Sequence, residues 1–434
     1  MALSHAHGAI QWLSADAVST TYVVSGLSFQ PKAMRFYTVG IQSATDAATQ
    51  SVNLMRSMGF AVSTTERRVV TSFSQDTPTA ANTGTAARND AVVLTIDGTG
   101  VVNGALDLSA IASDGFTLIV DDTAAQNMTV FWDAWGGTDP TVYAVGDFAE
   151  PAATGNQTYT VTGFTAGATD QVVMFAGVAQ TTALNTAQAD TDSNFSIGYT
   201  TGPSNNIVVV GASDDASGTM DTRRYSQDGE CLAAILPGGG DPDARAKLNA
   251  WVTDGFELNW IARGQTGRKT IFLAIKGGGW TAGSYIIDGS TLNSTATVSG
   301  LSYAPIGINL VTVSGIFPTA GVGSSSDILG IGSGSSTTSR RAMGAFDEAS
   351  TANAEIDLEI EYDAVLCYPS ASGTPRAVFD IDAMTSDGFR IITDLAGGLN
   401  LELQGYLAFG SAAAGGKAFP FCPPMSGFIH MLVR

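Results

Sequence analysis

Six of the 20 basic residues stand in three doublets, Arg67–Arg68, Arg223–Arg224 and Arg340–Arg341, in a chain whose net charge is −20. A guanidinium is a planar fork that grips carboxylates bidentately, and on a strand adjacent side chains face opposite ways. Each doublet therefore reads as one inward and one outward arginine. The plain role is a fork on a carboxylate, with Asp76 and Asp228 of the two nearby "SQD" stretches as candidates. The functional alternative is contact with a neighbouring subunit or an anionic glycan. Three further carboxylates, Asp114, Asp254 and Asp387, each open the tripeptide Asp-Gly-Phe. Read alone, each is a ligand loop. Followed by an apolar run, it reads as a tight turn with Gly at positive φ and Phe as the first inward residue of a strand.

Groups for catalysis are harder to find. The three histidines, His5, His7 and His430, do not recur with the other marks, so neither a Ser-His-Asp site nor a multi-histidine zinc site is expected. His5 and His7 read as an exposed pair on an N-terminal arm, with chelation of a metal as the alternative. "GSAAAGGKAF" (410–419) lacks the first glycine and the magnesium-binding hydroxyl of a phosphate loop, and "LGIGSGSS" (329–336) lacks the spacing of a nucleotide fingerprint. "DLEIEYD" (357–363) puts Asp357, Glu359 and Glu361 on one face, expected to be solvated. "DDASGTMD" and "DPDAR" lack the ligand spacing of a calcium loop. No catalytic residue and no cofactor are expected, and a structural Ca²⁺ is left open. Trp132, Trp135, Trp251, Trp260 and Trp280 follow the unit ends, as core packing or as sugar platforms.

The elements that carry these residues repeat. The Asp-Gly-Phe aspartates are 140 and 133 residues apart, and "VSGLSF", "VTGFTA" and "VSGLSY" place Gly26, Gly163 and Gly300 at steps of 137. The doublet precedes Asp-Gly-Phe by 47 residues in the first and third units and by 31 in the second. These ordered marks imply a triplicated domain of about 135 residues. The expected boundaries are 1–137, 138–278 and 279–410, with a tail at 411–434. The segments "GTDPTVYAVGDFAEPAATGNQ" and "GWTAGSYIIDGSTLNST" read as short packed linkers. Within a unit the signal is period two with frequent turn residues, which predicts an all-β chain of three β-sandwich or jelly-roll-like domains. Helical spacing is seen only in "ATQSVNLMRSMGF" and "DPDARAKLNAWV".

Composition narrows the function. Charged residues are only 14% and glycines number 50, which suits short strands and tight turns rather than long amphipathic helices. The negative charge disfavours nucleic acid and anionic membrane as partners. Cys231, Cys367 and Cys422 are odd in number and far apart, so no disulfide framework is indicated. No signal peptide and no membrane span are read in the sequence.

A unit written "SGLSFQPKAMRFYT…SMGFAVSTTERRVVTSFSQD…NDAVVLTI…SDGFTL…TVFWDAWGG" resembles a repeated β-sandwich domain of uncharacterised virion structural proteins of tailed bacteriophages and prophages. The shared order is an F-x-P-K strand, an Arg followed by an acidic loop, an Asp-Gly-Phe turn and a closing A-x-G-G strand. The middle copy departs most, lacking Pro-Lys and having a shortened second half. The resemblance implies a non-enzymatic virion component, a capsid decoration, fibre-base or tail protein assembled in the host cytoplasm. Its partners would be other virion subunits and further copies of itself. The alternative from another class is a carbohydrate-binding adhesin with three modules, whose partner would be a surface glycan. A glycan hydrolase ranks third.

Overall fold

The computed structural model describes residues 2–75, 82–189, 192–214, 222–235, 242–313, 327–348, 356–370, 375–397 and 401–412. Its elements are all strands. The first eleven are β1 (Leu3–Trp12), β2 (Thr21–Val24), β3 (Pro31–Thr38), β4 (Ala48–Ser51), β5 (Leu54–Ala61), β6 (Arg67–Ser74), β7 (Thr83–Arg88), β8 (Val93–Ile96), β9 (Val102–Ala112), β10 (Gly115–Asp122) and β11 (Met128–Gly137). Next come β12 (Val142–Ala149), β13 (Gly155–Thr160), β14 (Gln171–Val178), β15 (Gln188–Ala189), β16 (Ser193–Gly202), β17 (Asn205–Ser213), β18 (Thr222–Asp228), β19 (Leu232–Ala234), β20 (Ala244–Val252), β21 (Gly255–Ala262) and β22 (Lys269–Lys276). The last ten are β23 (Gly279–Asp288), β24 (Thr295–Val298), β25 (Pro305–Val313), β26 (Asp327–Ser336), β27 (Ser339–Asp347), β28 (Ile356–Glu361), β29 (Leu366–Pro369), β30 (Pro375–Thr385), β31 (Gly388–Leu395) and β32 (Leu401–Gly410).

One strand order appears three times. In the first unit β1-β11-β3-β5-β6-β7 faces β2-β10-β9-β8; in the second β12-β22-β14-β16-β17-β18 faces β13-β21-β20-β19; in the third β23-β32-β25-β26-β27-β28 faces β24-β31-β30-β29. Jelly-roll wrapping is confined to the outer hairpin, where the first strand pairs with the last and the second with the next to last. The inner strands form two meanders.

Strands of the small sheets such as β13 ("GNQTYT") and β21 ("GFELNWIA") alternate half-buried or buried with more open positions, so one face meets solvent. Strands of the large sheets are apolar on both faces. "LMRSMGFA" of β5 and "QVVMFAGV" of β14 are buried throughout, so both faces need a cover. One face packs on the unit's own small sheet, through Phe36, Phe116 and Trp132 in the first unit and Phe175, Phe256 and Phe272 in the second. The other faces of all three large sheets meet in a single shared core, which includes Tyr37, Trp135, Met174, Tyr199, Ile331 and Phe409.

The units also exchange strands. β15 of the second unit pairs with β7 at the edge of the first large sheet. β4 of the first unit pairs with β28 at the edge of the third, matching Ser51 to Asp357. Both covering strands come from the connection between the third strand of a unit and the next strand of its large sheet, and both close an edge that would otherwise offer unpaired backbone groups. The corresponding connection of the third unit, 314–326, lies outside the described residues.

Two sequence expectations are corrected. The segments with helical spacing are strands β4–β5 and β20. Register shifts between Arg245 and Ala246 and between Leu248 and Ala250 change the in–out phase of β20, so its apolar residues fall at helix-like intervals. β5 is buried on both faces and shows no alternation. The expected linkers are the opening strands β12–β13 and β23, and only 138–141 and 277–278 join one unit's sheets to the next. Among the described residues no helix is long and apolar enough to cross a membrane.

Candidate functional site

Asp-Gly-Phe is built into a clasp. In each unit a two-residue turn brings Ala112 opposite Gly115, Val252 opposite Gly255 and Thr385 opposite Gly388. The aspartate carboxylate then accepts a backbone N–H from the glycine of the other repeated mark: Gly26 to Asp114 at 3.3 Å, Gly163 to Asp254 at 2.7 Å and Gly300 to Asp387 at 3.3 Å. Gly26, Gly163 and Gly300 need to be glycine for their φ of 81°, 94° and 81°. The glycine inside Asp-Gly-Phe is not at positive φ, contrary to the turn expected from sequence. It is required by close approach, since a Cβ on Gly115, Gly255 or Gly388 would lie 1.9, 2.2 or 1.9 Å from the carbonyl oxygen of Val24, Tyr159 or Val298. Phe116, Phe256 and Phe389 follow as inward core residues. Asp254 itself sits at φ 54°, which Asp and Asn tolerate better than Ala. Asp254→Ala is expected to cost about 1–2 kcal/mol in urea denaturation, with Asp254→Asn recovering much of it. Equal midpoints for the wild type and Asp254→Ala would rule the clasp out as a stabilising contact.

The first and third doublets divide as strand geometry requires, with partners the sequence did not name. Arg67 on β6 forks Asp107 on β9, with Nη2 to Oδ2 at 2.6 Å, and Arg340 on β27 pairs with Asp380 on β30. These are the inward members, tying the large sheet to the small one. The outward members reach the next unit. Arg68 donates to Asp147 on β12 at 2.5 Å, and Arg341 Nε donates to His7 Nδ1 on β1 at 3.1 Å. Asp76 lies outside the described residues, and Asp228 closes the same strand as Arg223 and Arg224.

That strand is β18, the sixth of its large sheet, whereas β6 and β27 are the fifth. The shorter 31-residue gap is thereby explained, and the middle doublet is not equivalent to the others. On the fifth strand β17, Asn206 takes the place, and its Oδ1 accepts the Leu248 N–H at 3.3 Å. Asp107 and Asp380 accept the corresponding N–H of Leu108 and Ile381 at 2.7 and 2.6 Å.

The shared core holds a closed ionic clamp. Arg35 on β3 grips Asp133 on β11 at 2.6 and 3.0 Å, both at 0% exposure, and donates at 2.8 Å to Tyr199 of the second unit. His5 Nε2 lies 3.0 Å from Asp133 Oδ1. Burial alone would raise the Asp133 carboxyl, but Arg35 and His5 outweigh it and hold it far below the usual range. His7 stacks on His5 at 5.6 Å. Burial first, then the neighbouring His5 and Arg341, pushes His7 down to about 3. A neutral ring that accepts from Arg341 at Nδ1 carries its proton on Nε2, which donates to Ser339 Oγ at 2.9 Å. The expected exposed histidine arm is therefore a correction: β1 is a paired strand with one face in the shared core. His430 lies outside the described residues. Trp135, Trp280 and Phe409 surround the clamp, and all five tryptophans expected at unit ends are buried in cores.

A second acidic group occupies the seam between the first and third units. Asp357, Glu359 and Glu361 do share a face of β28, yet that face is buried rather than solvated. β4 runs along the outer edge of β28, and Cys367 lies close enough to feel both glutamates. Asp46, Glu361 and Asp363 bring carboxylate oxygens within 4.8 Å of one another, a spacing that a cation could bridge. Of the loops considered for calcium, residues 215–221 and Asp241 lie outside the described residues, and Asp243 is engaged by Arg268. Burial, then the neighbouring carboxylate, raises Glu359; burial and then Asp46 and Asp363 raise Glu361.

A raised folded value makes the pair's stabilisation complete below about 4.5 and lost as pH rises through about 7 and about 9. The wild type is expected to lose melting temperature across that window, and Glu359→Gln to flatten the loss by about 2–4 °C. Parallel pH profiles for the two proteins would remove the pair as the cause.

No protein-family model and no curated protein matches the chain.

Three residues that position the units were not read from the sequence. Gly59 on β5, Gly198 on β16 and Gly332 on β26 lie where the chain crosses from the large to the small sheet. A Cβ there would sit 1.9, 1.9 and 2.1 Å from the carbonyl oxygens of Val92, Cys231 and Val365. Each glycine precedes its contact by 33 residues. The signal was a glycine inside the same strand of each large sheet, alone in β5 and one of three in β26.

Proposed function

We propose that the chain is a non-enzymatic structural subunit of a bacteriophage particle, a capsid-decoration, fibre-base or tail component. Other virion subunits would be its partners, together with further copies related by the particle's symmetry. One observation carries the reading: three sandwiches of one strand order turn their large sheets onto a common core. A chain that carries its own three-part assembly suits a threefold axis or a pseudo-symmetric lattice. Covered sheet edges and the net charge of −20 suit a block that must stay soluble until it docks. The test is to tag the chain in its phage or prophage, purify particles by density and locate the tag by cryo-electron microscopy. Density at a fixed symmetric position is expected. Particles that lack the chain overturn the reading.

A further inference from the structure

A cavity of about 380 Å³ opens at one end of the first sandwich, within the ~300–1,000 Å³ range of small-ligand sites. Its floor is Met55, Phe73 and Met128, which belong to the sandwich core. Its wall is made of amides, chiefly Gln75, Asn82 and Asn103. Asn103 Oδ1 is buried and has no hydrogen-bond partner, an acceptor whose desolvation goes uncompensated. Among the described residues no lysine or arginine lines the cavity. The one carboxylate among the described lining residues, Asp97, accepts three bonds on Oδ1 from Thr99 and Val101.

The second sandwich shows that this end need not be open. There the space shrinks to about 20 Å³. Arg268 stands just before β22 where Met128 begins β11, and it pairs with Asp243 at 2.6 and 2.9 Å and with Glu150 at 3.3 Å. Asp243 precedes β20 as Asn103 lies at the start of β9, and Glu150 stands beside Arg268 as Trp12 stands beside Met128. An ionic plug fills one unit, while an apolar floor and an orphan amide leave the other open.

The geometry points to a binding site for a neutral sugar in the first sandwich. Amides both donate and accept, as sugar hydroxyls do, and an apolar floor with one aromatic ring suits the C–H face of a pyranose. Absence of basic side chains from the described lining disfavours phosphorylated or uronic ligands. The site is independent of the particle reading, because it uses only side chains of the first unit.

The test titrates the full chain, labelled at methionine methyls, with glucose, galactose, mannose and N-acetylglucosamine, and with glucuronic acid as a charged control. At least one neutral sugar is expected to shift Met55 and Met128 saturably at or below about 10 mM, with glucuronic acid inert. Asn103→Asp with Met128→Arg, which imports part of the plug, is expected to abolish the shifts. The milder Gln75→Ala/Asn82→Ala variant, altered at the rim, should weaken binding by about tenfold or more if the core variant does not fold. The inference is overturned if no neutral sugar moves these methyls, if glucuronic acid moves them equally, or if the rim variant binds unchanged.

Discussion

Arg35→Met is expected to destabilise the folded chain by about 3–5 kcal/mol. The fork leaves Asp133 at 0% exposure with the His5 ring as its remaining side-chain partner, and it also leaves the Tyr199 hydroxyl without its donor. A buried carboxylate without its cation carries the full desolvation penalty. Removing both charges is a different matter, because a well-packed apolar pair has no charge to desolvate. The double variant Arg35→Met/Asp133→Leu should therefore recover most of the loss, with a coupling energy of about 2 kcal/mol or more in a double-mutant cycle. Urea denaturation of the four proteins reads this directly. If the double variant is as unstable as the sum of the singles, the clamp is not a coupled pair.

The second large effect is expected at the crossing glycines. Gly59→Ala, Gly198→Ala and Gly332→Ala each place a methyl group about 2 Å from a backbone carbonyl oxygen. No rotamer change relieves that contact, so the two sheets of the sandwich must separate locally. The expected cost is about 3 kcal/mol or more at each position, at or beyond the upper end of ordinary overpacking. Gly177→Ala on β14 is the matched control, since its nearest contact is a threonine hydroxyl at 3.3 Å and it should cost less than about 1 kcal/mol. Comparable melting temperatures for the control and the crossing variants would refute the steric argument.

Local chemistry was legible in the sequence, and long-range partnership was not. The Asp-Gly-Phe hairpins and the inward phenylalanines could be read because turn and first strand residue are adjacent. The opposite facing of Arg67 and Arg68 followed from strand geometry alone. Their partners Asp107 and Asp147 did not, since one lies across the sandwich and the other in the next unit. Proximity in sequence pointed instead to Asp76. His5 and His7 were misread because position near a terminus says nothing about strand pairing. Glu359 was misread because alternation tells which residues share a face, not that this face turns inward onto Cys367 of the unit's own small sheet. The shared core was foreshadowed only by strands such as "QVVMFAGV", apolar on both faces where a two-sheet unit needs one.

The pairing of β4 with β28 sets an order of events during synthesis. Ser51 and Asp357, joined by a 2.6 Å hydrogen bond, are 306 residues apart. At about 5–20 residues per second, β4 leaves the ribosome roughly 15–60 s before its partner strand exists. The first unit must therefore wait, with the inner face of its large sheet open, until the last unit arrives to complete the ring. Separate chains would search for one another at a rate set by their concentration. Here the tether supplies its own local concentration, so closure is independent of dilution and the three-part stoichiometry is fixed by translation itself.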